Sequence, residues 1–110
     1  VFFEVGTSEL NSKAKYLLRI IGEKLAKLNN DVVIEGHTDS RPYQNGLLGY
    51  TNFELSADRA NSARRILIES GLSENHITEI RGYADKKLRN PNDPLDATNR
   101  RISIIVKYKN

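Results

Sequence analysis

Arg59 is the charged residue whose place in the sequence most needs a chemical explanation. It lies in a segment with helical spacing, and at about 100° per residue its side chain falls inside an apolar arc. The arc is formed by Leu55, Ala60, Ala63, Ile66 and Leu67. A buried guanidinium without an anionic partner costs several kcal/mol, and a bidentate carboxylate offsets much of that cost. We therefore expect a carboxylate beside Arg59, supplied either by Asp39 or by a ligand.

The residues around Asp39 could also support catalysis or metal binding. Together with His37, Asp39 has the residue types of a hydrolase triad. The nucleophile would be Ser40 or Ser56, yet no G-x-S-x-G elbow accompanies them, and hydrogen bonding of Ser56 to nearby backbone is the simpler role. His76 is the only other histidine, which argues against a metal site. We expect no catalysis, no metal and no cofactor, and interpret His37 as a structural residue at a strand end.

Composition limits the classes to which the chain can belong. Its 110 residues, of which 38% are hydrophobic, suit a single domain that spans residues 1–110. The net charge of +3 weakly favours anionic partners, but the basic residues are spread along the chain without a nucleic-acid-binding motif, so we expect no nucleic acid. The absence of cysteine excludes disulfides and zinc-thiolate sites. No apolar run reaches the roughly 20 residues of a membrane span, and the strand-like opening indicates a domain from a longer protein.

Apolar spacing predicts six secondary-structure elements. They are a strand at 1–5, a helix whose apolar face runs from 10 to 28, a strand at 32–37, a helix at 51–70, and strands at 77–83 and 102–108, with irregular loops at 40–50 and 86–98. The apolar face of the first helix carries Leu10, Ala14, Leu17, Leu18, Ile21, Leu25 and Leu28. Thr51 and Glu54 form a capping-box pattern that starts the second helix, and Gly71 ends it. We expect an α/β (α+β) fold with the order β-α-β-α-β-β, in which two helices cover one side of a four-stranded mixed sheet.

Several polar residues near the second helix have two plausible roles. Asn52 can cap the helix or contact a ligand. Tyr43 and Tyr50 can stack on sugar rings or pin the loop in which they lie, and we favour pinning. Arg100 and Arg101 precede the last strand, where they can line a ligand groove or brace the loop before them. The residues alone leave the last choice open.

Three separated motifs give the chain a resemblance to a known family. The motifs are Gly36-His37-Thr38-Asp39, Asn52-x-x-Leu55-Ser56-x-x-Arg59-Ala60 and Asn99-Arg100-Arg101. In this order they resemble the OmpA-like peptidoglycan-binding domain over nearly the whole chain. The long insertion at 41–50 and the run from Gly49 to Arg65 are similar to those of MotB-type stator subunits of the flagellar motor.

The resemblance implies a ligand and the residues that contact it. The ligand would be the diaminopimelate residue of the peptidoglycan stem peptide, whose free end carries an ammonium and a carboxylate on one carbon. Asp39 would take the ammonium and Arg59 the carboxylate, each through charge-assisted hydrogen bonds. The implied ligand-binding residues are Thr38, Asp39, Asn52, Leu55, Ser56, Arg59 and Arg100.

The resemblance also implies a cellular setting. The chain would be the periplasmic domain of an inner-membrane protein that anchors the flagellar stator to the cell wall without catalysis. Its partners would be peptidoglycan, a second copy in a homodimer and a MotA-type stator subunit. The alternatives are a wall-tethering domain of an outer-membrane OmpA or Pal-type protein and, from a different class, a cell-wall hydrolase.

Overall fold

Two helices and a three-stranded sheet make up the regular structure of the chain. The computed structural model describes residues 2–43 and 49–108, and the counts given for the fold refer to these residues. The elements are α1 (Ser12–Leu25), β1 (Val32–Gly36), α2 (Asn52–Glu69), β2 (Ile77–Gly82) and β3 (Ile102–Val106), with short 3-10 helices at Glu74–His76 and Ala97–Asn99. The mixed α/β class is confirmed, but the described residues form three strands rather than four.

The sheet has β1 at its centre and the strand order β2-β1-β3. β1 is parallel to β2 and antiparallel to β3, so that Ile34 lies opposite Ile80 on one side and Ile104 on the other. Every residue of β1 is buried. The expectation of a sheet with one solvated side is wrong for β1, because long side chains of the neighbouring strands cover its second face. Arg81 of β2, for example, donates to the carboxylate of Glu35 at 3.3 Å.

The missing strand is the one expected at 1–5. Residues 2–5 do not pair with the sheet, although Phe3 is fully buried in the core. Their carbonyl groups are satisfied in other ways, since the carbonyl of Phe2 accepts from the backbone N–H of Asn11 and that of Phe3 from the guanidinium of Arg100. These bonds replace a strand ladder, so backbone and side-chain donors from other parts of the chain hold the segment.

α1 is shorter than its apolar pattern suggested. It begins at Ser12, after Asn11 has capped it by accepting the backbone N–H of Ala14 at 2.8 Å. Leu10 is buried but precedes the helix, whereas Leu28 lies beyond its end and is 50% exposed. Leu17 is also exposed, because the buried stripe of α1 is narrow. It consists of Ala14, Leu18, Gly22 and Leu25.

α2 begins and ends where local signals placed it. The Thr51 hydroxyl accepts the backbone N–H of Phe53, and the Glu54 carboxylate accepts that of Thr51, which completes the capping box. Gly71, with a φ of +114°, follows the helix in the left-handed region that glycine adopts most readily. α2 packs on all three strands and on α1. It therefore separates the first helix from much of the sheet and carries the residues closest to the end of β1.

Candidate functional site

Two glycines allow α2 to lie directly on the ends of two parallel strands. Gly36 of β1 and Gly82 of β2 are register partners. A Cβ atom on Gly36 would lie 1.8 Å from the carbonyl oxygen of Ser56, and one on Gly82 would lie 2.7 Å from its hydroxyl oxygen. The first turns of α2 can approach the sheet this closely because neither glycine has a side chain. Arg59 is thereby placed beside the segment that follows β1.

A cavity of about 430 Å³ opens at this end of β1. Its lining residues come from the amino-terminal segment, the loop after β1, the start of α2 and the residue before β3. They are Val5, Gly6, Thr38, Asp39, Arg41, Pro42, Tyr43, Asn52, Leu55, Arg59 and Arg100. The structure thus brings together six of the seven residues expected at the site, all but Ser56. We call this cavity the pocket.

Arg59 is 1% exposed and lies in the apolar environment expected for it. Asp39 lines the same cavity, but the described residues show no direct hydrogen bond between Arg59 and Asp39. The guanidinium donates instead to three backbone carbonyls, those of Thr7 at 2.9 Å, His37 at 3.1 Å and Glu4 at 3.1 Å. Carbonyl oxygens carry enough partial charge to satisfy a guanidinium, an option that a search for carboxylates overlooks.

Burial lowers the pKa of Arg59 to about 10, while the nearby charge of Asp39 acts in the opposite direction. The side chain therefore stays cationic at neutral pH. A guanidinium has five N–H groups, and Arg59 uses three of them in its bonds to carbonyls. Within the described residues, two N–H groups remain for a ligand. The charged carbon of the guanidinium also lies 4.8 Å from the centre of the Phe3 ring, within the range of a cation–π contact.

Asp39 is 4% exposed and is surrounded by donors. One carboxylate oxygen, Oδ2, accepts from Arg41 at 2.8 Å and from Arg100 at 2.9 Å. The other, Oδ1, accepts the backbone N–H of Arg41 at 3.0 Å. A carboxylate offers about four acceptor positions, so one remains on Oδ1. The acid expected to take a ligand ammonium is therefore already paired, although not with Arg59.

Arg100 and Arg101 have different roles: Arg100 lines the pocket, and Arg101 braces the loop that precedes the last strand. Arg100 is 8% exposed, lines the pocket and joins the carbonyl of Phe3, 2.8 Å from its Nε, to the carboxylate of Asp39. Arg101 donates to the backbone carbonyl of Lys87 at 2.9 Å and so braces the long loop. Successive residues point to opposite sides of an extended segment, which explains why neighbours in sequence serve different surfaces.

Asn52 and the two tyrosines fix the loop that borders the pocket. Asn52 is the first residue of α2 rather than its cap, and its side-chain amide donates to the carbonyl of Arg41 at 2.8 Å while it lines the pocket. Tyr50 donates to Asp58 at 2.5 Å, and its ring centre lies 4.6 Å from that of Tyr43. These contacts support the pinning role. The part of the insertion at 44–48 lies outside the described residues.

Ser56 and His37 take structural positions beside the pocket. The buried Ser56 hydroxyl donates to the carbonyl of Phe53 at 2.9 Å and accepts the backbone N–H of Ala84 at 3.0 Å. The His37 ring stacks on Tyr83 with 5.3 Å between ring centres. Its Nε2 lies 3.3 Å from the carboxylate of Glu35. These bonds bind the ends of the strands to α2 and to one another, and among the described residues Ser56 and His37 are not hydrogen-bonded to each other.

A second group of charged residues lies on the face of the sheet opposite α2. We define the far-face cluster as Glu35, His37, Arg81 and Tyr83. Burial, followed by the positive charge of Arg101, lowers the pKa of His37, and the Glu35 carboxylate only partly opposes this shift. The histidine is therefore neutral in the folded protein at neutral pH. None of these four residues lines the pocket.

The charges in the pocket favour an anionic or zwitterionic ligand. One carboxylate, that of Asp39, faces three guanidinium groups, those of Arg41, Arg59 and Arg100. Within the described ranges, no group of three or more His, Asp or Glu side chains is placed to hold a metal ion. Guanidinium groups are thus the main charged donors of the pocket, and the Asp39 carboxylate is the acceptor available to a cationic group of a ligand. The arrangement can bind a small group that carries both charges.

Arg41 is the main site residue that the sequence analysis missed. Its backbone N–H and its side chain both bind Asp39 two residues earlier, a local turn in which an aspartate bonds to the backbone that follows it. The Asp39-Ser40-Arg41 spacing could have signalled that turn. Val5 and Gly6 were also missed as lining residues, because they reach the pocket only when the amino-terminal segment leaves the sheet.

A membrane-spanning helix is not found among residues 2–43 and 49–108, where neither helix is long and apolar enough to cross a bilayer.

Comparisons with known proteins identify relatives of this chain. Motility protein B of Escherichia coli (strain K12) is 39% identical over 107 residues, an alignment that covers 97% of this chain and 35% of that protein. The peptidoglycan-associated lipoprotein of Buchnera aphidicola subsp. Baizongia pistaciae is 30% identical over 107 residues, covering 96% of this chain and 59% of the lipoprotein. The chain thus spans about a third of the length of the E. coli motility protein.

Solved structures share the fold. The C-terminal domain of Helicobacter pylori MotB superposes with a TM-score of 0.83 at 21% identity, covering 99% of this chain and 84% of that one. The cell wall anchor of the type VI secretion system from Pseudomonas aeruginosa superposes with a TM-score of 0.76 at 27% identity, covering 98% and 76%. The sequence matches the OmpA family over residues 2–101. The chain therefore belongs to the OmpA family.

Proposed function

We propose that this domain binds peptidoglycan without catalysis and that the pocket receives the free end of a diaminopimelate residue in the stem peptide. The observation that carries the proposal is that Asp39 and Arg59, both almost fully buried, line one cavity of about 430 Å³. Buried charges of opposite sign that face a shared space are expensive unless a ligand or fixed partners use them. A group with an ammonium and a carboxylate on one carbon matches both.

The remaining hydrogen-bonding capacity supports this ligand. Arg59 has two N–H groups left within the described residues, enough for a carboxylate, and its other three bonds hold the guanidinium in place. Asp39 keeps one acceptor position on Oδ1 for an ammonium. A pre-oriented guanidinium loses little entropy on binding, which favours recognition of a small polar group.

The names of the relatives support a role in wall attachment. One relative is called a peptidoglycan-associated lipoprotein, and one structural neighbour is described as a cell wall anchor. The similarity to motility protein B favours a periplasmic domain that holds the flagellar stator to the wall, as a homodimer and together with a MotA-type subunit. A wall-tethering domain of an OmpA or Pal-type protein is the alternative. The sequence upstream of Val1 in the full gene distinguishes the two roles. A membrane helix there favours the stator, whereas a barrel or a lipid anchor favours the wall-tethering protein.

Cosedimentation with purified peptidoglycan tests the binding proposal. The variant Asp39→Asn keeps the shape of the side chain and removes its charge, so we expect affinity to fall at least about tenfold. Asp31→Asn is the matched control, because Asp31 is exposed and its carboxylate bonds only to His76 among the described residues. Normal cosedimentation of Asp39→Asn would refute the site. Titration with diaminopimelate, followed by NMR, locates the contact directly.

The same peptidoglycan sample tests the hydrolase alternative. We expect no soluble fragments after prolonged incubation, because His37 bonds to Glu35 and Ser56 bonds to backbone groups. Fragments released by the wild-type domain at a rate proportional to protein concentration would overturn the noncatalytic reading.

A further inference from the structure

Arg41 is bonded to the carboxylate of Asp39, which the ligand ammonium would need as its partner. Its Nη1 lies 2.8 Å from Oδ2 of Asp39, and its backbone N–H lies 3.0 Å from Oδ1. Arg100 fills the second position on Oδ2 at 2.9 Å. Protein donors therefore take three of about four acceptor positions on this carboxylate.

Of the two guanidinium groups on Asp39, only that of Arg41 is free to leave. Arg100 is buried, and its Nε is fixed to the carbonyl of Phe3 at 2.8 Å. The Arg41 side chain is 42% exposed, and its other bond is a longer one, 3.2 Å, to the carbonyl of Leu95 at the surface. The arginine side of this ion pair is exposed to solvent, and the buried Asp39 carboxylate stays paired with Arg100 and with the incoming cation, so exchange of Arg41 for another cation leaves no buried charge unpaired.

The local charge around Asp39 favours such an exchange. The pocket already has three cationic side chains against one carboxylate. An ammonium that entered beside Arg41 would add a fourth positive charge next to the same acid, and like charges at this distance repel strongly when partly buried. An ammonium that replaces the Arg41 guanidinium leaves the charge around Asp39 unchanged.

We propose that Arg41 determines ligand specificity by holding the ammonium position on Asp39 and giving it up only to a ligand that also brings a carboxylate. The inference rests on the proposed function. A ligand with an ammonium alone displaces Arg41 and leaves a guanidinium at the mouth of a cationic pocket. A ligand with a carboxylate as well neutralises that surplus charge. Arg41 therefore selects against simple amines.

Two stem peptides that differ by one carboxylate test the proposal. One contains diaminopimelate and the other contains lysine, which has the side-chain ammonium but not the distal carboxylate. We expect calorimetry to show that Arg41→Gln binds the lysine peptide about tenfold more tightly than wild type does. Affinity for the diaminopimelate peptide should rise less, because this peptide also loses the guanidinium that its carboxylate would neutralise. The ratio of the two affinities therefore narrows.

Arg65→Gln serves as the control, because Arg65 is exposed and does not line the pocket. If Arg41→Gln weakens the binding of both peptides, Arg41 is a fixed part of the site and the inference fails while the proposed function stands. An unchanged affinity for the lysine peptide also overturns the inference. If neither wild type nor Arg41→Gln binds either peptide, the proposed function and the inference fail together.

Discussion

The pocket and the far-face cluster lie at the same end of the central strand, yet only the pocket contains a cavity that could hold a ligand. In the far-face cluster, side chains contact one another, since Glu35 receives both His37 and Arg81, and Tyr83 stacks on His37. Among the described residues, the buried Nδ1 of His37 has no hydrogen-bond partner, and the pocket does not reach it. In the pocket, Arg59 bonds to backbone carbonyls, keeps two N–H groups without a partner among the described residues, and lines a cavity. Buried charge alone therefore does not mark a binding site. What marks it is buried charge that is held by the backbone and still has hydrogen-bonding capacity toward open space.

The largest effect should come from Arg59→Met, which replaces the guanidinium by an apolar chain. Three carbonyls would lose their donor, and at 1 to 3 kcal/mol for each unsatisfied buried group we expect a loss of about 4 kcal/mol in the free energy of unfolding. Urea denaturation measures this loss. Arg65→Met on the exposed side of α2 should stay near wild type. Equal stabilities of the two variants would contradict the distinction between the pocket and the far-face cluster, because Arg59 would then not depend on the backbone.

Gly36→Ala should disturb both regions, because Gly36 lies between them under α2. The new Cβ would lie 1.8 Å from the carbonyl oxygen of Ser56, which is backbone and cannot rotate away. We expect α2 to shift and the free energy of unfolding to fall by about 3 kcal/mol, the upper part of the usual range for overpacking. Gly82→Ala should cost less, since its Cβ would meet the Ser56 hydroxyl at 2.7 Å. The order of the two midpoints in urea checks the geometry.

Acid should destabilise the far-face cluster through His37. The pKa of this histidine is lowered from its ordinary value of 6.5, chiefly by burial. Above that value the histidine is neutral in both states and contributes no pH dependence. As the pH falls below 6.5 the unfolded chain takes up a proton that the folded chain refuses, so stability should fall by at most about 1.4 kcal/mol per pH unit.

Thermal melts of wild type and His37→Gln between pH 8 and 5 separate this contribution from other titrations. The variant should lose less stability than wild type over the acid half of the range. A parallel decline in both proteins would show that His37 is not the group responsible, and would weaken the contrast between a closed cluster and an open pocket.

Thr51→Ala should have the smallest effect of these changes and should not distinguish the two regions. It removes the hydroxyl that accepts the Phe53 N–H, and the loss of a helix cap costs about 1 kcal/mol. The melting temperature measures the effect. Because Asn52 and Leu55 lie in the first turn of α2 and line the pocket, ligand affinity should decline slightly in parallel. A loss of stability without any loss of affinity would show that the pocket does not depend on this cap.

α2 was predictable because its signals are local. Thr51 and Glu54 are three residues apart, Gly71 follows the last turn, and the apolar spacing lies within one segment. The burial of Arg59 followed from the same spacing. Its partners did not follow, since the carbonyls of Glu4 and Thr7 lie more than fifty positions away in the sequence. Periodicity indicates on which face of the helix a side chain lies, but it does not indicate which groups from distant parts of the sequence contact that side chain.

The first strand was mispredicted for the same physical reason. Phe2 to Val5 has the composition of a strand, and Phe3 is buried as a strand residue would be. What decides between a strand and an irregular segment is the partner of each carbonyl, and here Arg100 and Asn11 supply it from other parts of the chain. A propensity scale cannot register this competition, because it scores the segment without its neighbours.

The binding of the amino-terminal segment by guanidinium groups has a mechanical consequence. Arg59 and Arg100 hold the carbonyls of Phe3, Glu4 and Thr7 and also line the pocket. A tensile force applied at Phe2 would therefore reach these two side chains through three hydrogen bonds, without first crossing the sheet. A single arginine side chain therefore connects the amino-terminal segment to a ligand bound in the pocket. Because this connection is so short, few bonds or side chains can extend before a pulling force reaches the ligand.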